Sequence, residues 1–300
     1  MKQATLPLSH LLLALAVVAV WGTNFVVIKL ALAHLPPLLF AALRFLFAFL
    51  PAAFFLKRPS VPLRTLALYG LLIGPGQFAC LYIAMEHWIS PGLASLVIQM
   101  QAFFTIGLSI WLAGDHMHGF QGIALALAGA GLAVIIVHAG GDATTLGVAL
   151  VLIAALSWAA GNIVAKHQPA ENMLTFVVWA SLFSFPPLIV LSLAFEGPTA
   201  IASSLAGADA LTWAAVLYQS LGNTLFGYAS WSFLLARHPA ATVSPLALLV
   251  PIVGMATSAL LLGEGLPLWK LLAAALVMAG LVLNLLWPLL HRVTRRAAAT

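Results

Sequence analysis

The sequence predicts an all-α polytopic membrane protein with ten transmembrane helices in two inverted five-helix repeats. Three observations predict it. Only 6% of the 300 residues are charged, 63% are hydrophobic and the mean hydropathy is +1.11, whereas soluble domains carry about 25% charged residues. Apolar runs of about 20 residues, long enough to cross a bilayer, recur along the whole chain. Two of these runs share their punctuation. SPGLASLVIQMQAFFTIGLSIWLAGD, from Ser90 to Asp115, and HPAATVSPLALLVPIVGMATSALLLGE, from His238 to Glu264, both open on proline and close on Gly plus an acid.

The expected spans are 11–32, 38–56, 65–85, 91–112, 119–138, 145–166, 174–195, 211–235, 240–262 and 268–289. The first is read as a retained helix because its apolar run continues past Gly22 to Leu32 without a small-residue cleavage site. Connectors are short. The longest, 196–210, is rich in Gly, Ala and Ser and is expected along the surface. Gly74, Pro75 and Gly76 in the third span, and Pro245 and Pro251 in the ninth, are expected hinges. Proline removes one helix hydrogen bond and frees carbonyls, so helices bend there. Pro51 and Pro186-Pro187 interrupt the second and seventh spans in the same way.

Charge sets the orientation. With a cytoplasmic N-terminus, one side collects Lys2, Lys57, Arg58, Arg64, Lys166, Arg237, Arg292, Arg295 and Arg296, and the other has only Lys270 in a loop. Loops rich in Lys and Arg stay in the cytoplasm, so both termini are expected there. The cations form no basic stripe, so the charge of +5 implies no nucleic-acid partner. The single cysteine, Cys80, excludes a disulfide framework.

The repeat is legible in single residues. Trp21 and Lys29 recur as Trp158 and Lys166 at an offset of 137, with Asn24 or Asn162 between them. Tyr69 and Tyr218, Tyr82 and Trp231, Asp115 and Glu264, and Gly131 and Gly280 pair at an offset of 149. Five spans per half is an odd number, so the halves insert in opposite senses, an arrangement that lets two halves rock about a shared midplane site. Enzyme signatures are missing: there is no HExxH, no GxSxG, no mid-membrane aspartate pair and no Cys/His cluster. A channel would need a polar or charged pore ring.

VVAVWGTNFVVIKLAL, the Pro36-Pro37 turn, LRF at 43–45, GLASLVIQMQAFFTI at 92–106, SWAAGNI at 157–163 and SPLALLVPIVG at 244–254 resemble the EamA-type transporters of the drug/metabolite transporter superfamily. In appearance they are closest to bacterial exporters of cysteine, O-acetylserine and amino acids. The resemblance implies two EamA-like repeats, residues 1–140 and 141–290, followed by a basic cytoplasmic tail at 291–300. It also implies a multi-pass inner-membrane location and efflux of amino-acid-like small molecules without a cofactor. Carriers of nucleotide sugars or drugs are the alternative, and a membrane-embedded enzyme is a more distant one. The oligomeric state is left open.

Polar groups within spans are costly unless paired or wet, so each is a candidate for the pathway. Gln99 and Gln101 stand about 200° apart on a helix. Gln99, on the face of Ser95, is expected to line a central cavity, and Gln101 to clamp neighbouring helices. Trp21 with Asn24, and Trp158 with Asn162, pair an indole with an amide at matching depths. They line the path or pack helices. Phe78 with Tyr82, and Thr224 with Tyr228 and Trp231, form aromatic walls or interface anchors. Lys29 and Arg44 are expected to be gating or structural charges, with attraction of a substrate carboxylate as the alternative for Arg44. Every acid falls at a span end or in a loop, so a carboxylate proton relay is not expected.

Overall fold

The computed structural model describes residues 6–113, 118–138, 140–166 and 173–297; Lys2, Asp115, His167 and Glu171 lie outside them. Among the described residues the chain is helical, with one isolated β-bridge between Ile89 and Ala143. The helices are α1 (Leu8–Ala31), α2 (Pro37–Ala53), α3 (Leu63–Leu71), α4 (Cys80–His87), α5 (Pro91–Val97), α6 (Gln101–Ala113), α7 (Gly119–Val137) and α8 (Thr145–Lys166). They continue as α9 (Met173–Phe195), α10 (Pro198–Gly207), α11 (Ala210–Leu217), α12 (Gly227–Arg237), α13 (Ala240–Val243), α14 (Leu249–Leu262) and α15 (Leu268–Ala297).

Eight helical runs among the described residues are long and apolar enough to cross a membrane. A ninth is reached if α10 and the run Ala210–Arg237, bent by 106° to each other, count as one. Helix α2 is shorter, at 17 residues. The connector 196–210 holds a helix, α10. Backbone helix also continues through most of the expected tail, to Ala297. Proline opens α2, α5 and α10 as Pro37, Pro91 and Pro198, where its missing N–H is no loss and its fixed φ suits the first turn. Phe54, Trp111, Val190 and Leu260 are exposed, as befits helices whose outer solvent is hydrocarbon.

The proline hinges take an unexpected form. The third span does not break at Gly74-Pro75-Gly76; it widens into a π-helix over Leu72–Ala79, and the run through α11 and α12 widens likewise over Tyr218–Phe226. In a π-helix the amide of residue 75 would bond to the carbonyl of residue 70, but proline has no N–H to give. The Gly70 carbonyl instead accepts from Ser184 Oγ at 2.8 Å, across on α9. Short 3₁₀ turns interrupt two further spans, at Ile98–Met100 and Ser244–Leu248. Pro245 lies in the second of these, whereas Pro251 and Pro186-Pro187 sit inside continuous α14 and α9.

Helices α7 and α15 pack along each other, as do α2 with α9 and α1 with α14; α8 packs on the Leu72–Ala79 segment. A side chain at Gly131 would meet the Ala273 carbonyl at 2.8 Å, and one at Gly280 the Ala124 carbonyl at 2.5 Å. Each glycine thus lets its helix approach the backbone of the other.

One end of the bundle, opposite the described N- and C-terminal residues, is tied by charge. Lys270 is fully buried; its Nζ lies 2.8 Å from Glu264 Oε1 and 2.8 Å from Asp142 Oδ2. Glu264 in turn accepts from Ser90 Oγ at 2.5 Å and from the Gly92 N–H at 2.9 Å, at the start of α5. Glu196 does the same for α2, accepting from the N–H groups of Leu38 (2.6 Å) and Leu39 (3.0 Å). Helix N-termini carry unpaired N–H groups and partial positive charge, which a carboxylate satisfies. Lys270→Met leaves the Glu264 carboxylate buried without its cation. We expect it to lose about 3 kcal/mol of stability, read as a lower Tm in detergent, and Lys270→Met/Glu264→Gln to recover part of that loss. A Tm unchanged by Lys270→Met refutes the tie.

Candidate functional site

A cavity of about 310 Å³ lies between the helices, within the size range of small-molecule sites. Trp21, Asn24, Phe78, Gln99, Trp158, Asn162, Tyr228 and Trp231 line it, and so do Arg44, Tyr69, Gln77, Gln101 and Asn223. Its wall includes Met173, at the start of α9, Trp231, late in the run Ala210–Arg237, and Ala247 and Val250, early in the run Ser244–Leu262. These places lie toward the end of the bundle that carries the start of α1, away from the Lys270 cluster.

The π-helical run Tyr218–Phe226 builds one wall. A widened turn leaves carbonyls without helical partners, and Trp21 Nε1–H donates to the Asn223 carbonyl at 3.1 Å. Its indole reaches this carbonyl by lying against Gly227, where a Cβ would come within 2.4 Å of Nε1. The same ring packs on Trp231 and Tyr228, at centroid distances of 5.2 and 6.0 Å.

Arg44 projects from the middle of α2 and is only 2% exposed. Its Nη1 donates to Gln219 Oε1 at 2.5 Å and to Tyr82 Oη at 3.1 Å, and its Nη2 to Thr224 Oγ1 at 3.3 Å. The Asn223 amide, with its oxygen turned to the guanidinium as the network requires, accepts from Nη1 at 3.1 Å and Nη2 at 3.0 Å. The Phe78 ring lies 3.7 Å from Cζ, a cation–π contact.

Three expected cavity residues lie outside its lining. Ser95 is fully buried; its Oγ donates to the Gly92 carbonyl at 2.7 Å, and it fills the space beside Gly254. Tyr82 and Thr224 lie behind the wall, where both accept from Arg44. Lys29 is away from the cavity too. Its Nζ donates to the carbonyls of Met85 (3.0 Å) and Glu86 (2.8 Å), at the C-terminal end of α4, where unpaired carbonyls favour a cation.

Gln101 ties α6 to α8, as expected, and reaches the cavity as well. It lines the cavity together with Gln99, and its Oε1 accepts from Asn162 Nδ2 at 3.0 Å. The 3₁₀ turn at Ile98–Met100 is the reason. At three residues per turn the two side chains are about 120° apart, not the 160° of an α-helix. Gln219 went unread in the sequence. The signal was there: YQSLGNT packs five polar side chains into one span.

Trp21 and Gly227 are expected to be coupled. Gly227→Ala drives the indole off the Asn223 carbonyl and leaves that buried acceptor unpaired, a loss of about 1–3 kcal/mol. With Trp21→Ala already in place, Gly227→Ala adds little further loss. Detergent melts of the two single variants and the double variant measure this, and strictly additive losses refute it.

The chain was then compared with known proteins. Residues 8–137 and 145–286 each match the EamA-like transporter family. The chain is 44% identical to a protein of Salmonella typhimurium named "Probable amino-acid metabolite efflux pump", across 94% of this chain and 97% of that protein. A protein of the same name from Escherichia coli (strain K12) is 44% identical across 91% of this chain and 93% of its own length. The "Uncharacterized inner membrane transporter YedA" of Escherichia coli (strain K12) is 28% identical across 93% of this chain and 90% of its own. A crystal structure 16% identical in sequence shares the fold, with a TM-score of 0.61 over 93% of this chain and 97% of that one. Two family matches that together span nearly the whole length settle the assignment: this chain belongs to the EamA-like transporter family and is a multi-pass membrane transporter rather than an enzyme.

Proposed function

We propose that the chain exports amino acids and related small metabolites across the inner membrane by alternating access. One observation carries the substrate class: 44% identity, over nearly the full length of both chains, to relatives named as probable amino-acid metabolite efflux pumps. The cavity suits such cargo. It offers indole and phenol faces to an apolar side chain and amides to polar ends.

Alternating access rests on ten spans in two inverted five-helix repeats, residues 1–140 and 141–290. Helices α7 and α15 are repeat mates and pack on each other through the paired glycines Gly131 and Gly280. Helices α2 and α9, also mates, pack together; α1 with α14 has its counterpart in α8 with α6. The π-helical runs fall in corresponding spans, as do the 3₁₀ turns. A pseudo-two-fold relation between halves supports a second state in which the closed and open ends exchange.

In this reading both termini are cytoplasmic, and the arrangement described here faces inward, with the Lys270–Glu264–Asp142 cluster closing the outer end. Two experiments test these points. In a Cys80→Ser background, Ser203→Cys is expected to react with an impermeant maleimide in intact cells, and Ser60→Cys only after permeabilisation. The reverse pattern inverts the topology. Proteoliposomes loaded with a panel of labelled amino acids are expected to show protein-dependent efflux of at least one. Efflux of none sinks the substrate class.

A further inference from the structure

We infer that the cavity recognises its cargo by a carboxylate, held at Arg44, and makes no demand for a free amino group. The inference rests on the exporter reading above and names the chemical group that reading leaves open.

The argument starts from charge. Arg44 is buried, yet each partner it has is neutral: an amide oxygen of Gln219, the hydroxyls of Tyr82 and Thr224, the Asn223 amide and the face of Phe78. Among the described residues no acid forms an ion pair with it; the ion pairs there involve Glu86, Asp142 and Glu264, all at helix ends. Neutral dipoles orient a guanidinium but do not cancel its charge, and a lone buried cation is costly. An anion that enters the cavity relieves that cost.

Donor arithmetic points the same way. A guanidinium has five N–H groups in a planar fork that matches a carboxylate. Nη1 and Nη2 are engaged, whereas Nε, itself buried, has no partner. Since Arg44 is part of the cavity wall, a carboxylate on that side would meet a full positive charge whose neutral partners leave one N–H of the fork unpaired. The opposite charge is not on offer. Among the described residues no carboxylate lines the cavity, so an ammonium finds only amide oxygens and aromatic faces among them. Such partners bind an amine weakly and accept an acyl-amide or a keto oxygen equally well. The recognised class is therefore the small carboxylic acid: amino acids, their N-acyl derivatives and 2-oxo acids, but not carboxamides or decarboxylated amines.

The test uses purified full-length protein in detergent and two scaffolds, serine and phenylalanine. For each, the amino acid, its N-acetyl derivative, its carboxamide and the corresponding amine (ethanolamine or phenethylamine) are added, and Tm is read against concentration. We expect the acids of at least one scaffold, N-acetylated or not, to stabilise the protein, and its carboxamide and amine to need about 10- to 100-fold higher concentration, the worth of a charge-assisted hydrogen bond. Arg44→Lys, which keeps the charge but loses the fork, is expected to weaken acid binding; Arg44→Gln is expected to abolish the preference for acids. The wild-type series stands even if both variants fail to fold. Equal stabilisation by acid and carboxamide, or none by any acid, overturns the inference. Transport of amino acids together with their carboxamides in the proteoliposome assay also overturns it while leaving the exporter reading intact. Acid-selective Tm shifts without efflux of any amino acid leave the anion site standing and remove the exporter reading instead.

Discussion

A guanidinium at the middle of a membrane helix has to be satisfied by the bundle itself, because hydrocarbon offers no water to do it. Arg44 meets that constraint by recruiting three segments at once: Tyr82 from α4, Phe78 from the third span's widened turn, and Gln219, Asn223 and Thr224 from the run Tyr218–Phe226. Ser220 Oγ adds a hydrogen bond to the Arg44 carbonyl at 3.0 Å. The polar residues of that run are thus spent on α2. The cavity wall is the inner surface of this network, which explains why Tyr82 and Thr224 support the site from behind.

The irregular turns follow from the same scarcity of partners. A π-turn offsets its backbone carbonyls from the α-helical ladder and leaves some without a helical donor. Each such run here has a side chain from another span on a nearby carbonyl: Trp21 on Asn223, Ser157 on Leu72 at 2.8 Å and Ser184 on Gly70. Widened turns are tolerable at bilayer depth only where other helices supply those donors. They also couple spans, since moving one span strips a donor from its neighbour's backbone.

What the sequence made legible followed from period and punctuation. Span positions, the surface connector and most of the cavity's aromatic and amide lining could be read from apolar runs and from polar residues inside them. Residues whose direction depends on local helix type could not. Gln99 and Gln101 face the same cavity because Ile98–Met100 winds as 3₁₀, and IQM carries no proline or glycine to announce it. Ser95 seemed to share the face of Gln99, but the winding changes between them, and Ser95 turns to Gly92 and Gly254. Pro75 reads as a hinge because a missing N–H is visible in sequence, whereas Ser184, the donor that makes good the loss, is 109 residues away.

The two halves share a scaffold and divide its chemistry unequally. At an offset of 149, Gln219 and Asn223 stand where the first half has Gly70 and Gly74; at 137, Arg44 stands where the second half has Ser181. The corresponding contacts are opposite in kind. A side chain at Gly70 would meet the Ala180 carbonyl at 2.4 Å, and one at Gly74 the Ser184 Cβ at 2.6 Å, so the third span lies directly against α9. The equivalent contact, between the eighth span and α2, holds a guanidinium and its amides instead. At the same offset of 149, Gln99 and Gln101 correspond to Leu248 and Val250. In the proposed alternating-access cycle, a symmetric scaffold would give the carrier two equivalent ways to close. With cargo held at Arg44 as proposed, an asymmetric lining would give the cavity one polarity, so cargo would keep the same orientation to Arg44 whichever end is open.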